Sequence, residues 1–161
     1  MLNTRCGSIG VFMCALIACL VVCCISAPYA QEKPSRYLDT ASQVIKQNNQ
    51  IDADITTALQ TVSLRPIHRV ERLQKANKDA YAMWPDLFNS QVPDKYADLY
   101  VNLKKLVKLQ MKRTCLIYDA EYTTWMVHRD KAAPYAEELK RVDGDYQKQK
   151  TLVNWIYDKS K

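Results

Sequence analysis

The chain has 161 residues with a formal net charge of +6, and among them are only three glycines and six cysteines. Gly7, Gly10, Cys6, Cys14, Cys19, Cys23 and Cys24 all stand near the N-terminus, so the rest of the chain holds Gly144 and Cys115 alone. Tight hairpins, phosphate-cradling loops and nucleophile elbows need glycine for positive φ or close backbone approach, which argues against β-rich, P-loop, dinucleotide-binding and G-x-S-x-G hydrolase classes; a lone cysteine argues against a disulfide framework.

Residues 1–30 read as an export signal. Arg5 supplies a basic start, Ile9 to Ile25 carries no charged residue, and Ser26-Ala27-Pro28-Tyr29-Ala30 offers small residues for cleavage. Cleavage after Ala30 leaves Gln31 as the first residue of a 131-residue domain, Gln31 to Lys161. Two rival readings exist. Residues 9–25 are about as long as the shortest membrane span, ~17 residues, and fit an uncleaved anchor. Leu16-Ile17-Ala18-Cys19 fits a lipobox, although the residues after Cys19 stay apolar. Arg5 is the only charged residue of the first thirty, so the exported domain keeps 22 basic and 17 acidic side chains, a net charge of +5.

The exported domain reads as all-α, an antiparallel bundle of about four helices, with prolines marking the boundaries. Helix one is expected over Arg36 to Val62, with Ser35 as N-cap. Its stripe of Tyr37, Ala41, Val44, Asn48, Ile51, Ile55, Ala58 and Val62 keeps a coiled-coil-like seven-residue repeat, widened by Leu38, Ile45 and Leu59. Helix two runs from Pro66 to Trp84, with Ile67, Val70, Leu73, Ala80, Tyr81 and Trp84 on the apolar side. Pro85 ends it, and Asp86 to Pro93 forms a loop from which Leu87 and Phe88 fold back. Helix three runs from Asp94 to His128 with a bend or break near Thr123-Thr124, and Cys115-Leu116-Ile117-Tyr118, apolar on every side, belongs mid-bundle. Helix four, Pro134 to Tyr157, repeats the heptad through Tyr135, Leu139, Val142, Tyr146, Gln149, Val153 and Ile156, interrupted by Asp143-Gly144-Asp145. The expected core includes Leu103, Leu106, Leu116, Ile117, Leu139, Val142 and Leu152.

Chemistry-bearing residues are sparse. His68-x-x-Glu71 and His128-x-Asp130 fall short of the three or four convergent ligands a metal needs, so no metal and no cofactor is expected. Asp119 and Glu121 are two apart on a helix and point in different directions, a poor acid–base pair. No catalytic residue is assigned, and the domain is expected not to be an enzyme. Cys115 reads as a buried, inert thiol. Lys104, Lys108 and Lys112 repeat every four residues, a stripe that suits an anionic partner, and Trp84 and Phe88 are separate candidates for aromatic anchors of a partner. Asn48 is the polar position of the helix-one stripe. It pairs with its counterpart in a homodimer, bonds a neighbouring helix, or lies at the stripe's edge in water.

Leu109-Gln110 followed by Asp119-Ala120-Glu121 resembles the end of the helical domain of LprI-like lysozyme inhibitors. That family is rich in disulfide cysteines where this domain has Cys115 alone. The resemblance implies an inhibitor. Taken together, the residues suit a non-catalytic exported helical protein, periplasmic or secreted, that acts by binding another protein, an acidic one being among the candidates. An anionic membrane or cell-wall surface is a further partner, and nucleic acid is not expected. The alternatives are an inhibitor or immunity-type protein blocking a secreted hydrolase, with Trp84, Leu87 and Phe88 as the plug, and a structural component anchored through residues 9–25. Intact-mass measurement of the native protein should give a chain starting at Gln31; a mass that retains residues 1–30, or a diacylated Cys19, would refute that cleavage.

Overall fold

A computed structural model describes residues 34–127 and 129–161; the expected signal, its rivals and His128 lie outside them. Four α-helices are joined by short connections: α1 (Pro34–Gln60), α2 (Pro66–Phe88), α3 (Ala97–Met126) and α4 (Ala133–Ser160). A 3-10 turn at Asp94–Tyr96 leads into α3, and another at Arg129–Ala132 leads into α4. No strand occurs among the described residues. α3 packs along both α2 and α4, and α1 lies mainly on α2, touching α3 and α4 more sparsely. The expected helical bundle is therefore what the chain forms.

The α1 stripe is buried as its periodicity requires. Tyr37, Ala41, Val44, Asn48, Ile51, Ile55 and Ala58 are each no more than 3% exposed. The helix stops at Gln60, which leaves Val62 in the following turn, 95% exposed. Leu59 is also exposed, while Leu38 and Ile45 pack against the core from its edge. Because α1 begins at Pro34, Ser35 falls within the first turn rather than capping it.

In α2 the expected stop at Pro85 does not occur. The helix continues one more turn to Phe88, and the Asn89 backbone N–H donates to the Pro85 carbonyl at 3.0 Å. Proline inside a helix costs roughly 3 kcal/mol, but Pro85 lies on the exposed side, where a carbonyl without its partner can reach water. The extra turn buries Leu87 completely, worth roughly 2 kcal/mol, and brings Phe88 into a stack on Trp84. Leu87 thus folds inward as expected, whereas Phe88 remains 58% exposed. Ile67 and Tyr81 are exposed, and Ala76 and Met83 take their places in the core.

α3 runs without a break through Thr123 and Thr124, whose hydroxyl bonds back to the Ala120 carbonyl at 2.8 Å. Leu103, Leu106, Leu116 and Ile117 are in the core as expected; Cys115 and Tyr118 are only part-buried. α4 likewise passes straight through Asp143-Gly144-Asp145. Val142, Tyr146, Gln149 and Val153 form its buried stripe, and Leu139 packs partly buried against the core. Leu152, expected inside, is 41% exposed, because it lies about 100° around the helix from Val153. Gly144 has helical backbone and open space where a Cβ would stand. Gly144→Ala should therefore stabilise the domain by about 0.5–1 kcal/mol, read as a rise in thermal midpoint by circular dichroism. A lowered midpoint would mean that the helix needs glycine there.

Candidate functional site

Of the residues singled out in the sequence, Asn48 lies deepest. It is 1% exposed, and its Nδ2 donates to the Tyr146 hydroxyl at 2.7 Å. That hydroxyl donates in turn to Asp52 Oδ2 at 2.7 Å. The same oxygen accepts from Lys150 Nζ at 2.6 Å, while Oδ1 accepts from Gln110 Nε2 at 3.0 Å and from the Arg113 guanidinium at 2.9 Å. Arg113 also donates through Nε to Asp143 at 2.6 Å and lies over the Tyr146 ring, 4.9 Å from its centroid. One carboxylate on α1 is thus held by two side chains from α3 and two from α4. Of the readings of Asn48, the bond to a neighbouring helix is the one the structure shows, and the side chain is taken up inside the bundle rather than presented to a second copy.

The electrostatics follow from the donors. Burial alone would raise the Asp52 pKa, but hydrogen bonds from Lys150, Tyr146 and Gln110 outweigh it and hold the carboxyl below the usual aspartate range. Tyr146 moves the other way: burial, then its bond to Asp52, push the phenol far above its ordinary value, so it remains a donor. With four donors on two oxygens, Asp52 has little capacity left to take a substrate proton.

At the surface, the end of α2 and the start of α3 place four of the expected residues side by side. Trp84 stacks on Phe88 with centroids 6.1 Å apart. Lys108 Nζ sits 5.3 Å above the Trp84 ring, and Lys104 Nζ lies 5.8 Å from Phe88 and 4.8 Å from Tyr100. Neither lysine has a carboxylate partner among the described residues. Tyr100 was not singled out in the sequence; it faces the ledge because it lies four residues before Lys104, one turn along α3. Lys112 leaves the stripe. Eight residues turn a helix about 80°, enough to swing Lys112 to α4, where it pairs with Glu138 at 2.6 Å. The expected stripe of three lysines is thus a pair on an aromatic ledge and a third in an ion pair.

The weaker candidates stay apart. His68 Nδ1 and Glu71 Oε2 are 3.1 Å apart, but no group of three metal-ligating side chains forms among the described residues. Glu121 pairs with Arg69 at 3.5 Å. Asp119 accepts from the Cys115 thiol at 3.5 Å, and the thiol pKa is raised by its burial and by that carboxylate, which disfavours the reactive thiolate.

Asp52→Asn leaves Lys150 without its anion and Arg113 with Asp143 alone, and should cost roughly 2–3 kcal/mol at neutral pH, since breaking a largely buried pair strands its partner. A depressed carboxyl pKa stabilises above the unfolded value, near 3.9, and that stabilisation is lost as pH falls through the folded value. Urea midpoints of wild type and variant should therefore converge in acid. A gap that is absent at pH 7, or constant with pH, would rule this account out.

No protein-family model matches the chain, and no curated protein or solved structure matches it.

Proposed function

We propose that this chain is a non-catalytic, exported helical module that binds an acidic protein partner through the ledge of Trp84, Phe88, Lys104 and Lys108. The supporting observation is the pairing of each unneutralised lysine with an exposed or half-exposed aromatic face. Charge repelled at i, i+4 along α3 costs a few tenths of a kcal/mol, and the ring quadrupoles below offset part of it. Such a surface offers an apolar anchor with two cations beside it, which suits aromatic and carboxylate side chains in a partner. Catalysis is disfavoured by the saturation of Asp52 and by the separation of Asp119 from Glu121. Export rests on the basic start, apolar run and small-residue exit of residues 1–30.

Retention on immobilised poly-glutamate, with poly-glutamine as the neutral control, tests the ledge. Lys104→Glu with Lys108→Glu should abolish retention at low salt, and wild-type retention should fall as salt shortens the Debye length below ~10 Å. Lys112→Glu, which breaks the pair with Glu138, should leave retention within about twofold of wild type. Equal retention of the double reversal and wild type would dismiss the ledge as a solvated face.

A further inference from the structure

The two ends of the bundle differ in chemistry. Two of the connections, α1 to α2 and α3 to α4, turn at the same end, and both carry apolar side chains where connecting segments are usually polar. Val62 is 95% exposed in the first; Met126 and Val127 are 54% and 59% exposed at the second, beside Trp125 at 40%. Ile67, in the first turn of α2, is exposed as well. The Arg69–Glu121 pair at 3.5 Å holds the start of α2 beside the last turns of α3, so the two groups share one end. Tyr122 supports Trp125 from below, edge to face, with centroids 6.3 Å apart. At the opposite end the connection reads Asn89-Ser90-Gln91, and its Val92 packs back against the core.

Cations surround the apolar tip. Arg65 lies between Val62 and Ile67 in the chain, Arg72 follows in α2, and Lys131 sits in the 3-10 turn after Val127; all three are exposed. None has a carboxylate partner among the described residues. Glu71 and Glu121 are engaged by His68 and Arg69, and Glu137, a turn into α4, is exposed. A second copy docked by two-fold symmetry would bring the same cations towards their own counterparts. An anionic lipid surface meets both parts of the tip: acyl chains take the valines and methionine, Trp125 and Tyr122 suit the interface, and headgroup charge attracts the basic rim.

We infer that this end of the bundle inserts into the surface of an anionic bilayer. No described helix is long and apolar enough to cross a membrane, so the contact is interfacial. Lys104 and Lys108 lie ~30 Å along α3 from Met126 at 1.5 Å per residue. A tip-down orientation therefore keeps the aromatic ledge clear of lipid, although the inference does not depend on that ledge.

The experiment uses the full chain with single-tryptophan variants. Trp84→Phe with Trp155→Phe reports Trp125, and Trp84→Phe with Trp125→Phe reports Trp155. Vesicles contain brominated phosphatidylcholine, with or without phosphatidylglycerol. Because residues 9–25 can themselves partition into lipid, quenching at Trp125 is the readout rather than sedimentation with vesicles. Trp125 should be quenched and Trp155 should not. Val62→Asp with Met126→Asp should remove the quenching while circular dichroism stays helical, since both side chains are exposed. Arg65→Glu with Lys131→Glu should reduce the preference for anionic vesicles, by about fivefold for each cation. Trp125 left unquenched, or quenched equally in the Val62→Asp, Met126→Asp variant, would overturn the inference. So would self-association that this variant abolishes without any lipid quenching, which would assign the tip to a second copy.

Discussion

A carboxylate removed from water must be matched by donors, and in this bundle the match is made at Asp52. Its two oxygens collect Lys150, Tyr146, Gln110 and Arg113 from two other helices. Apolar packing by itself is tolerant of small rotations and slides, because one methyl contact resembles another. Four directed bonds to a single group are not. A displacement of α1 by one residue would leave Asp52 and Lys150 largely buried without partners and Arg113 with Asp143 alone, a loss of several kcal/mol. The network thus fixes the relation of α1 to α3 and α4, just where the helices themselves approach each other least.

Apolar packing and polar bonding divide the molecule between them. α1 and α2 share a continuous apolar seam, with Ile55, Leu73, Met83 and Leu87 among the fully enclosed side chains. α1 and α4 meet instead through Asn48, Asp52, Tyr146 and Lys150. A groove of about 420 Å³ lies between α1, α3 and α4, lined by Leu59, Ile117 and Leu139 with Arg113 and Asp143 beside them. Gln149 repeats the polar theme nearer the other end, where its Nε2 donates to Asn102 Oδ1 at 2.9 Å. Polar residues at stripe positions are therefore devices of register in this fold.

The two surface features have separate origins. The ledge exists because α2 ignores Pro85 and carries Phe88 one turn further, bringing it under Lys104. The apolar tip exists because α1 stops at Gln60, before its periodicity does, and leaves Val62 outside. Both arise where a helix ends at a residue other than the one its sequence suggests. As proposed, one end meets lipid and the other presents cations on aromatic rings to an acidic partner.

The sequence alone determined the helices and most of the core, because apolar side chains at spacings of three and four can be buried together only on one face of a helix. Tyr37 through Ala58 follow that rule without exception, as do Leu103, Leu106 and Val142. It also marked Asn48 as a polar intruder and singled out Trp84, Phe88, Lys104 and Lys108, although only the packing of α2 on α3 brought the two aromatics under the two lysines. It could not supply Asp52, Gln110, Arg113 or Lys150 as a group, for they are distant in the chain and each alone resembles a solvated surface residue. Nor could it stop Leu152 from being counted inward, separate Lys112 from its stripe, or foresee α2 continuing past Pro85. Those outcomes turn on which neighbour stands opposite: Glu138 for Lys112, solvent for Leu152, an enclosed site for Leu87. Periodicity encodes a helix's own faces, whereas the partner of each face is decided only when four helices pack at once.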